Sequence, residues 1–338
     1  MSKDCNSKVC HKTSIGGQAL IEGIMMQGPK GAAMSVRLPD GTIDTEKLEV
    51  KHIKDKFKPA GWPLIRGIVN MVESLLFGFK CMEKSAEKAG LDDDTNPEEM
   101  SKLDKWLSDH FGPKMMAVVT AVSAVLGCGL AFLLFFYLPT FIVDKVDELV
   151  FHNALAKLHP LFEGIFRMII FVAYIWLVSR LPDIKRVFMY HGAEHKSIFC
   201  YEAGLELTVE NVKKQSRFHP RCGTSFIFVI LIISILISSV LVVAFPGIDT
   251  NRILWMAIKL LVVPLTVAVG YEFIRYAGKH DNIIVKILAA PGLWMQRLTT
   301  NEPTDDIIEV GIESLKAVLV DESEKSEAIT DESEAEEN

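Results

Sequence analysis

Residues 1–12 are polar and lack the apolar core of a secretory signal peptide, so export of the whole chain is not expected. A compact cysteine framework is missing too. The six cysteines, Cys5, Cys10, Cys81, Cys128, Cys200 and Cys222, are scattered, which argues against a small disulfide-stapled fold. The glycine-rich stretch 15–31 has no Gly-Lys-Ser/Thr at the spacing of a phosphate-binding loop, so phosphate cradling is not expected. No basic stripe with interleaved aromatics appears, and nucleic acid is left out of the expected partners. No internal repeat is present.

What the chain has is apolar length. Hydrophobic residues make up 49% of 338, and mean hydropathy is +0.25. The excess is concentrated in four windows near the roughly 20 residues that cross a bilayer: 115–139, 165–182, 226–245 and 253–275. Arg167 and Arg180 lie near the ends of the second window, where long side chains can snorkel. Lys259 and Pro264 interrupt the fourth and require neighbouring helices or water to satisfy them. Net charge is −7, but nine acids against one lysine in 321–338 leave the rest of the chain at +1. That acidic tail is too poor in apolar residues to repay ordering and is expected to be disordered, as is the polar segment 1–12.

Basic residues set the expected orientation. The segment 182–225 carries Lys185, Arg186, Lys196, Lys213, Lys214, Arg217 and Arg221, whereas 140–164 carries Lys145 and Lys157 against four acids. Lys102, Lys105 and Lys114 precede the first window, and Arg275, Lys279, Lys286 and Arg297 follow the last. This pattern predicts a multi-pass protein of the bacterial cytoplasmic membrane with both termini and 182–225 on the cytoplasmic side.

The expected fold is a mainly α-helical polytopic membrane protein. It has four transmembrane helices, a small N-terminal cytoplasmic section containing a β-hairpin, and amphipathic helices. A Pro-Asp-Gly turn between partly alternating runs predicts the hairpin within 32–53. The division is a glycine-rich loop and hairpin over 13–62, then an amphipathic helix and linker over 63–114. A four-helix membrane domain covers 115–275, and cytoplasmic or interfacial helices cover 276–320. Within 63–89, Ile65, Ile68, Val69, Val72, Leu75, Leu76 and Phe79 form one helical stripe suited to packing or to the interface. The stretch 283–298 reads as an interfacial or re-entrant helix. Within 298–319, Thr304, Asp305 and Asp306 read as the start of a capped surface helix whose apolar Ile307, Ile308, Val310, Ile312, Leu315 and Val318 can dock on the cytoplasmic domain.

Two motifs could carry chemistry. In "YHGAEHKSIFCYEAG", 190–204, His191 and His195 share one helical face if the helix continues beyond the second window, with Glu194 beside them. His-x-x-Glu-His is the spacing of one class of zinc peptidases. In "HPRCGTSF", 219–226, His219 or Cys222 could complete a tetrahedral metal set, and Arg221 suits an anionic substrate or an oxyanion. The alternatives are plainer: interfacial histidines bonded to backbone, and Cys222 as a small buried hydrophobe. Glu22, in "IGGQALIEGIMMQGPKG", either sits in a tight loop packed under the spans or enters the histidine cluster as ligand or base. Glu272 and His280 are further polar groups at the end of the fourth window, with Glu272 expected to pair with Arg275.

The stretches "GGQALIEGIMMQGP", "YHGAEHKSIFCYE", "HPRCGTSF" and "LTTNEPTDDIIEVGIESL" together resemble the YqhQ-like bacterial membrane family, a domain of unknown function often labelled a predicted metal-dependent enzyme. The resemblance covers about 13–320. It implies a polar centre made of Glu22, His191, Glu194, His195, His219 and Cys222.

The expectation is therefore an integral membrane, metal-dependent enzyme, most naturally a hydrolase, with its centre at the cytoplasmic membrane surface. His191 and His195 are the expected ligands of a divalent metal such as zinc, with His219 or Cys222 completing the set. Glu194 or Glu22 is the expected base. Expected partners are membrane lipids and a membrane-protein or lipid-linked substrate. The rival is a non-catalytic scaffold, assembly factor or small transporter using Lys259 and Glu272.

Overall fold

A computed structural model describes residues 13–90, 118, 122–152, 158–279 and 282–319, without 14, 30, 51 and 249. Expectations for 1–12, for His280 and for the acidic tail lie outside the described residues.

Four strands form an antiparallel meander: β1 (Gly16–Leu20), β2 (Gly23–Gly28), β3 (Gly31–Arg37) and β4 (Ile43–Leu48). The Pro-Asp-Gly turn joins β3 to β4, as its sequence predicts. The glycine-rich stretch is a correction: it is not a loop but the β1–β2 hairpin, with Leu20 paired to Gly23. The physical reason lies in its burial. Ile24 and Met26 face one side of the sheet and Met25 the other, and all three are buried. A strand covered on both faces loses polar/apolar alternation, so it carries no period-2 signal.

Helix α1 (Ile65–Lys88) covers one face of the sheet through Phe77, Cys81 and Met82, against Leu20, Met25, Met34 and Val36. The other face packs on α4 (Pro182–Glu202) and α9 (Asp305–Lys316), joining Ile24, Met26 and Ala33 to Tyr190, Ala193, Ile198, Ile307, Ile308 and Leu315. Each such buried side chain contributes roughly 1.5–3 kcal/mol. Helix α9 docks through its apolar residues, as their spacing predicts, but the Thr304 side chain makes no capping bond.

Among the described residues, four helices are long and apolar enough to cross a membrane: α2 (Val122–Phe151), α3 (His159–Val178), and the Phe226–Ala244 and Ile253–Phe273 parts of α6 (Gly223–Ala244) and α7 (Arg252–Lys279). The first differs from its expected end at residue 139: it runs to Phe151 through π-helical turns at Leu133–Tyr137 and Asp147–Phe151. Pro139 explains one irregularity. It has no N–H for the carbonyl of Phe135, and that oxygen instead accepts the Arg167 Nε–H at 2.8 Å. Arg167 therefore does not snorkel. It is buried and donates to Glu163 at 2.9 Å, and Glu163 also accepts Thr140 at 3.0 Å and Lys259 Nζ at 2.5 Å. These four residues satisfy the charges that interrupt the apolar helices.

Helix α1 lies along α7. Arg66 pairs with Glu272 at 2.5 Å and Asn70 bonds Tyr271 at 2.6 Å, so the carboxylate expected to pair with Arg275 is held by α1 instead. Helix α8 (Ile283–Thr299), with Pro291 inside it, packs on α6.

The junction that sets the site is the α3–α4 break. The second apolar helix stops at Val178, and α4 starts afresh at Pro182 after the extended Leu181. Proline in the first helical turn starts a helix readily, and it disfavours helical backbone in the preceding residue. The histidine motif thus sits on its own helix, against the sheet.

Candidate metal centre

Helix α4 carries His191 and His195 one turn apart, with ring centroids 4.5 Å apart. Their 8% and 1% exposure shows that both are inside the protein. Each ring is oriented by a backbone carbonyl: His191 Nδ1 donates to Thr299 O at 2.8 Å, and His195 Nδ1 donates to Arg217 O at 2.6 Å. A carbonyl oxygen only accepts, so Nδ1 carries the proton in both rings. That leaves both Nε2 lone pairs for something else. His191 Nε2 meets Cys222 Sγ at 3.1 Å, and His195 Nε2 is buried with no hydrogen-bond partner.

Cys222 arrives through the turn after Pro220, where its N–H donates to His219 O at 3.3 Å. That turn is moored by Gln296. The His219 N–H donates to Gln296 Oε1 and Gln296 Nε2 donates back to His219 O, both at 2.7 Å. Gln296 and Thr299 both project from the end of α8, so one helix terminus holds the cysteine turn and orients His191. The donor atoms of His191, His195 and Cys222 all lie within 4.8 Å of one another. A tetrahedral zinc spaces N and S ligands about 3.5 Å apart, so the 3.1 Å contact would open by about half an ångström.

The other sequence candidates are placed differently. His219 stands next to the group, its ring 5.4 Å from that of His195, but its Nδ1 and Nε2 both face Arg221, at 3.4 and 3.3 Å. Burial, with the nearby His195 and Arg221, pushes the His219 imidazole down to about 3. Arg221 is committed to the Glu202 carboxylate and to Thr13 O at 2.8 Å, so it is not aimed at an open oxyanion position. Its cation and the two bonds from Thr13 hold Glu202 below the usual carboxylate range against the cost of burial.

Glu22 is not brought to the histidines. It occupies the β1–β2 turn at φ 51°, where its carboxylate pairs with Arg186 and accepts Tyr190 OH at 3.1 Å. The turn places it against Arg186 and Tyr190 of α4.

Glu194 is buried beside His191. Burial raises its pKa, and a hydrogen bond from the Gly17 backbone pulls the other way. Gly17 has to be glycine for this approach: a Cβ there would lie 2.5 Å from Met25 O and 3.1 Å from the Glu194 carboxyl carbon.

The sequence reading missed the residues that support the cluster: Thr299 and Arg217 through their carbonyls, and Gln296, Glu202 and Thr13. Carbonyl partners leave no side-chain signature. Two signals were present, however. Gln296 and Thr299 are polar residues three apart on an apolar helix, and Glu202 lies two turns beyond His195 on the same face.

The chain is 36% identical over 309 residues to the "Uncharacterized protein YqhQ" of Bacillus subtilis (strain 168), covering 90% of this chain and 92% of that protein. No solved structure matches. The family described as "Protein of unknown function (DUF1385)" matches residues 62–321, which span α1 to α9 and every residue of the histidine–cysteine group, and the chain belongs to it.

Proposed function

We propose that this protein is an integral enzyme of the bacterial cytoplasmic membrane that uses a divalent metal, zinc by its donor set, held by His191, His195 and Cys222. The observation that carries the reading is the orphaned, buried His195 Nε2, which points into a site where a second imidazole lone pair and a thiol converge. Imidazoles whose other nitrogen is fixed by a carbonyl, with a cysteine nearby, are the usual zinc donors. His191, His195 and Cys222 would hold the ion by three donors, and a zinc so held would supply activation of water and polarisation of an ester, amide or phosphoester.

The chain's own residues divide the remaining work. Glu194, buried and biased towards its protonated form, holds or releases a proton beside His191. The Thr299 and Arg217 carbonyls keep the two imidazoles in one tautomer. The Arg221–Glu202 pair closes the side next to His219. Hydrolysis is the reaction class this arrangement suits, on a peptide bond of a membrane protein or on a lipid-linked compound. The basic segment 182–225 supports a cytoplasmic site with both termini on that side.

Elemental analysis of detergent-purified protein tests the metal. About one zinc per chain is expected for the wild type and almost none for His191→Ala/His195→Ala. A metal-free wild type, or unchanged loading in the variant, refutes the assignment. Alkaline phosphatase fused after His152 should be active and after Gly204 silent; the reverse pattern refutes the topology. The buried Glu163, Arg167 and Lys259 favour a second reading, a small transporter, but they are engaged with one another.

A further inference from the structure

Most buried or half-buried cations among the described residues are matched. Arg37, Arg66, Lys84, Lys88, Arg167, Arg186, Lys196, Arg221 and Lys259 each have a carboxylate partner. Three exposed cations gathered at one place are not. Arg180, Lys185 and Arg297 line a cavity of about 350 Å³ with Trp176, Ser179 and Asn301, and no acid lines it. Among the described residues none of the three forms an ion pair. Arg180 lies flat over the Trp176 ring, 4.7 Å from its centroid.

Its position is as informative as its charge. The cavity sits where α3, long and apolar enough to cross a membrane, ends at Val178 and α4 begins at Pro182. Trp176 is 48% exposed and Leu177 64%, which is the pattern of a residue pair at the edge of a hydrocarbon layer. Three like charges lining one cavity with no acid among its lining favour an anion there. Cations beside the end of an apolar, membrane-length helix match a phosphate joined to acyl chains, because basic pockets between membrane helices bind such headgroups.

We infer that Arg180, Lys185 and Arg297, with Trp176, form a binding site for the phosphate headgroup of an anionic phospholipid of the cytoplasmic leaflet. The site adjoins the candidate metal centre through a single segment. Arg297, Leu298 and Asn301 line the cavity, while Thr299 O between them orients His191. Asn301 fastens the segment to α4 by its N–H to Phe188 O at 2.8 Å and its side-chain amide to Lys185 O at 3.1 Å. A lipid held there is positioned next to the histidine cluster. The inference rests on the membrane placement proposed above but not on the metal.

The test uses full-length, delipidated protein in detergent. Thermal shifts and native mass spectrometry are recorded with phosphatidylglycerol, with phosphatidylcholine of the same acyl chains, and with inorganic phosphate. Phosphatidylglycerol should stabilise the protein and give a bound adduct. Arg180→Gln/Arg297→Gln should weaken that binding by about thirtyfold, since each cation near an anionic headgroup contributes about fivefold. Lys47→Gln, on β4 and away from the cavity, should leave it unchanged. Lys185→Gln, a single exposed substitution, gives a smaller loss in the same direction and covers the case in which the double variant does not fold. Equal binding of both lipids overturns the inference, as does full phosphatidylglycerol affinity in the folded variants. Stabilisation by inorganic phosphate equal to that by phosphatidylglycerol overturns the lipid assignment. Metal content, measured on the same samples, reads out the proposed centre separately. Recovery of the chain in the soluble fraction would identify a failure of the membrane placement.

Discussion

Gly192, inside the histidine motif, is the sharpest place to test how the centre is held. A Cβ at this position would lie 2.1 Å from Asn301 O, against 3.4–4 Å for ordinary contact, so the two backbones must separate by more than an ångström. Neither can yield cheaply. Residue 192 is in the middle of α4, and Asn301 is tied by its N–H to Phe188 O, next to a buried Thr300 whose hydroxyl bonds Gln296 O at 2.6 Å. Overpacking costs about 1–3 kcal/mol. Losing the Asn301 N–H bond adds about 1 kcal/mol, so Gly192→Ala is expected to destabilise the protein by about 2–4 kcal/mol. The same shift moves Thr299 O away from His191 Nδ1, so metal loading should fall along with stability. Thermal unfolding in detergent, followed by tryptophan fluorescence, and elemental analysis of the same preparation measure both. Gly16→Ala is the control, since a Cβ there meets nothing within 4 Å and should change stability by less than about 1 kcal/mol. A Gly192→Ala protein that melts and loads metal like the wild type would refute both the close approach and its link to His191.

Three other outcomes are expected. Glu163→Ala strands the Arg167 and Lys259 cations among apolar helices and should cost about 3–5 kcal/mol, seen as lost yield and a lower melting temperature in detergent. Glu22→Gln removes an ion pair with a half-exposed Arg186, so it should cost only about 1 kcal/mol and leave metal content unchanged, measured by denaturation and elemental analysis. His219 gives a pH signature. Its folded pKa of about 3 lies below the ordinary value of 6.5, so the unfolded chain takes up a proton first as pH falls. The stability it contributes is present above the ordinary value and is lost towards the folded one. Between about pH 7 and about pH 5 the loss should be about 2 kcal/mol, and His219→Gln should flatten that limb of the denaturation profile.

The sequence by itself was enough for the helical, multi-pass plan. Four apolar windows, the Pro-Asp-Gly turn and the 3.6-residue stripe of α1 are local patterns, and local patterns survive without tertiary information. The His191–His195 pairing was legible for the same reason, being a relation within one helix. The ends of the elements were less legible. Pro139 reads as the end of the first window and Glu163 lies outside the second, whereas the structure continues helix through both, because the polar cost of Pro139 is met by Arg167 and that of Glu163 by Thr140 and Lys259, all from other helices. The β1–β2 hairpin was hidden because both its faces are covered, which erases alternation.

Only the tertiary structure could decide between Cys222, His219 and Glu22. All three are polar residues in glycine- or proline-marked turns, and nothing local distinguishes them. Gln296, from a helix more than 70 residues away, moors the cysteine turn beside His191. Arg221 faces both nitrogens of His219, and Arg186 and Tyr190 hold Glu22 elsewhere. The types of donor are written along one helix, but their convergence depends on hydrogen bonds between segments far apart in the chain. Such partners become neighbours only when the sheet, α4 and α8 have packed.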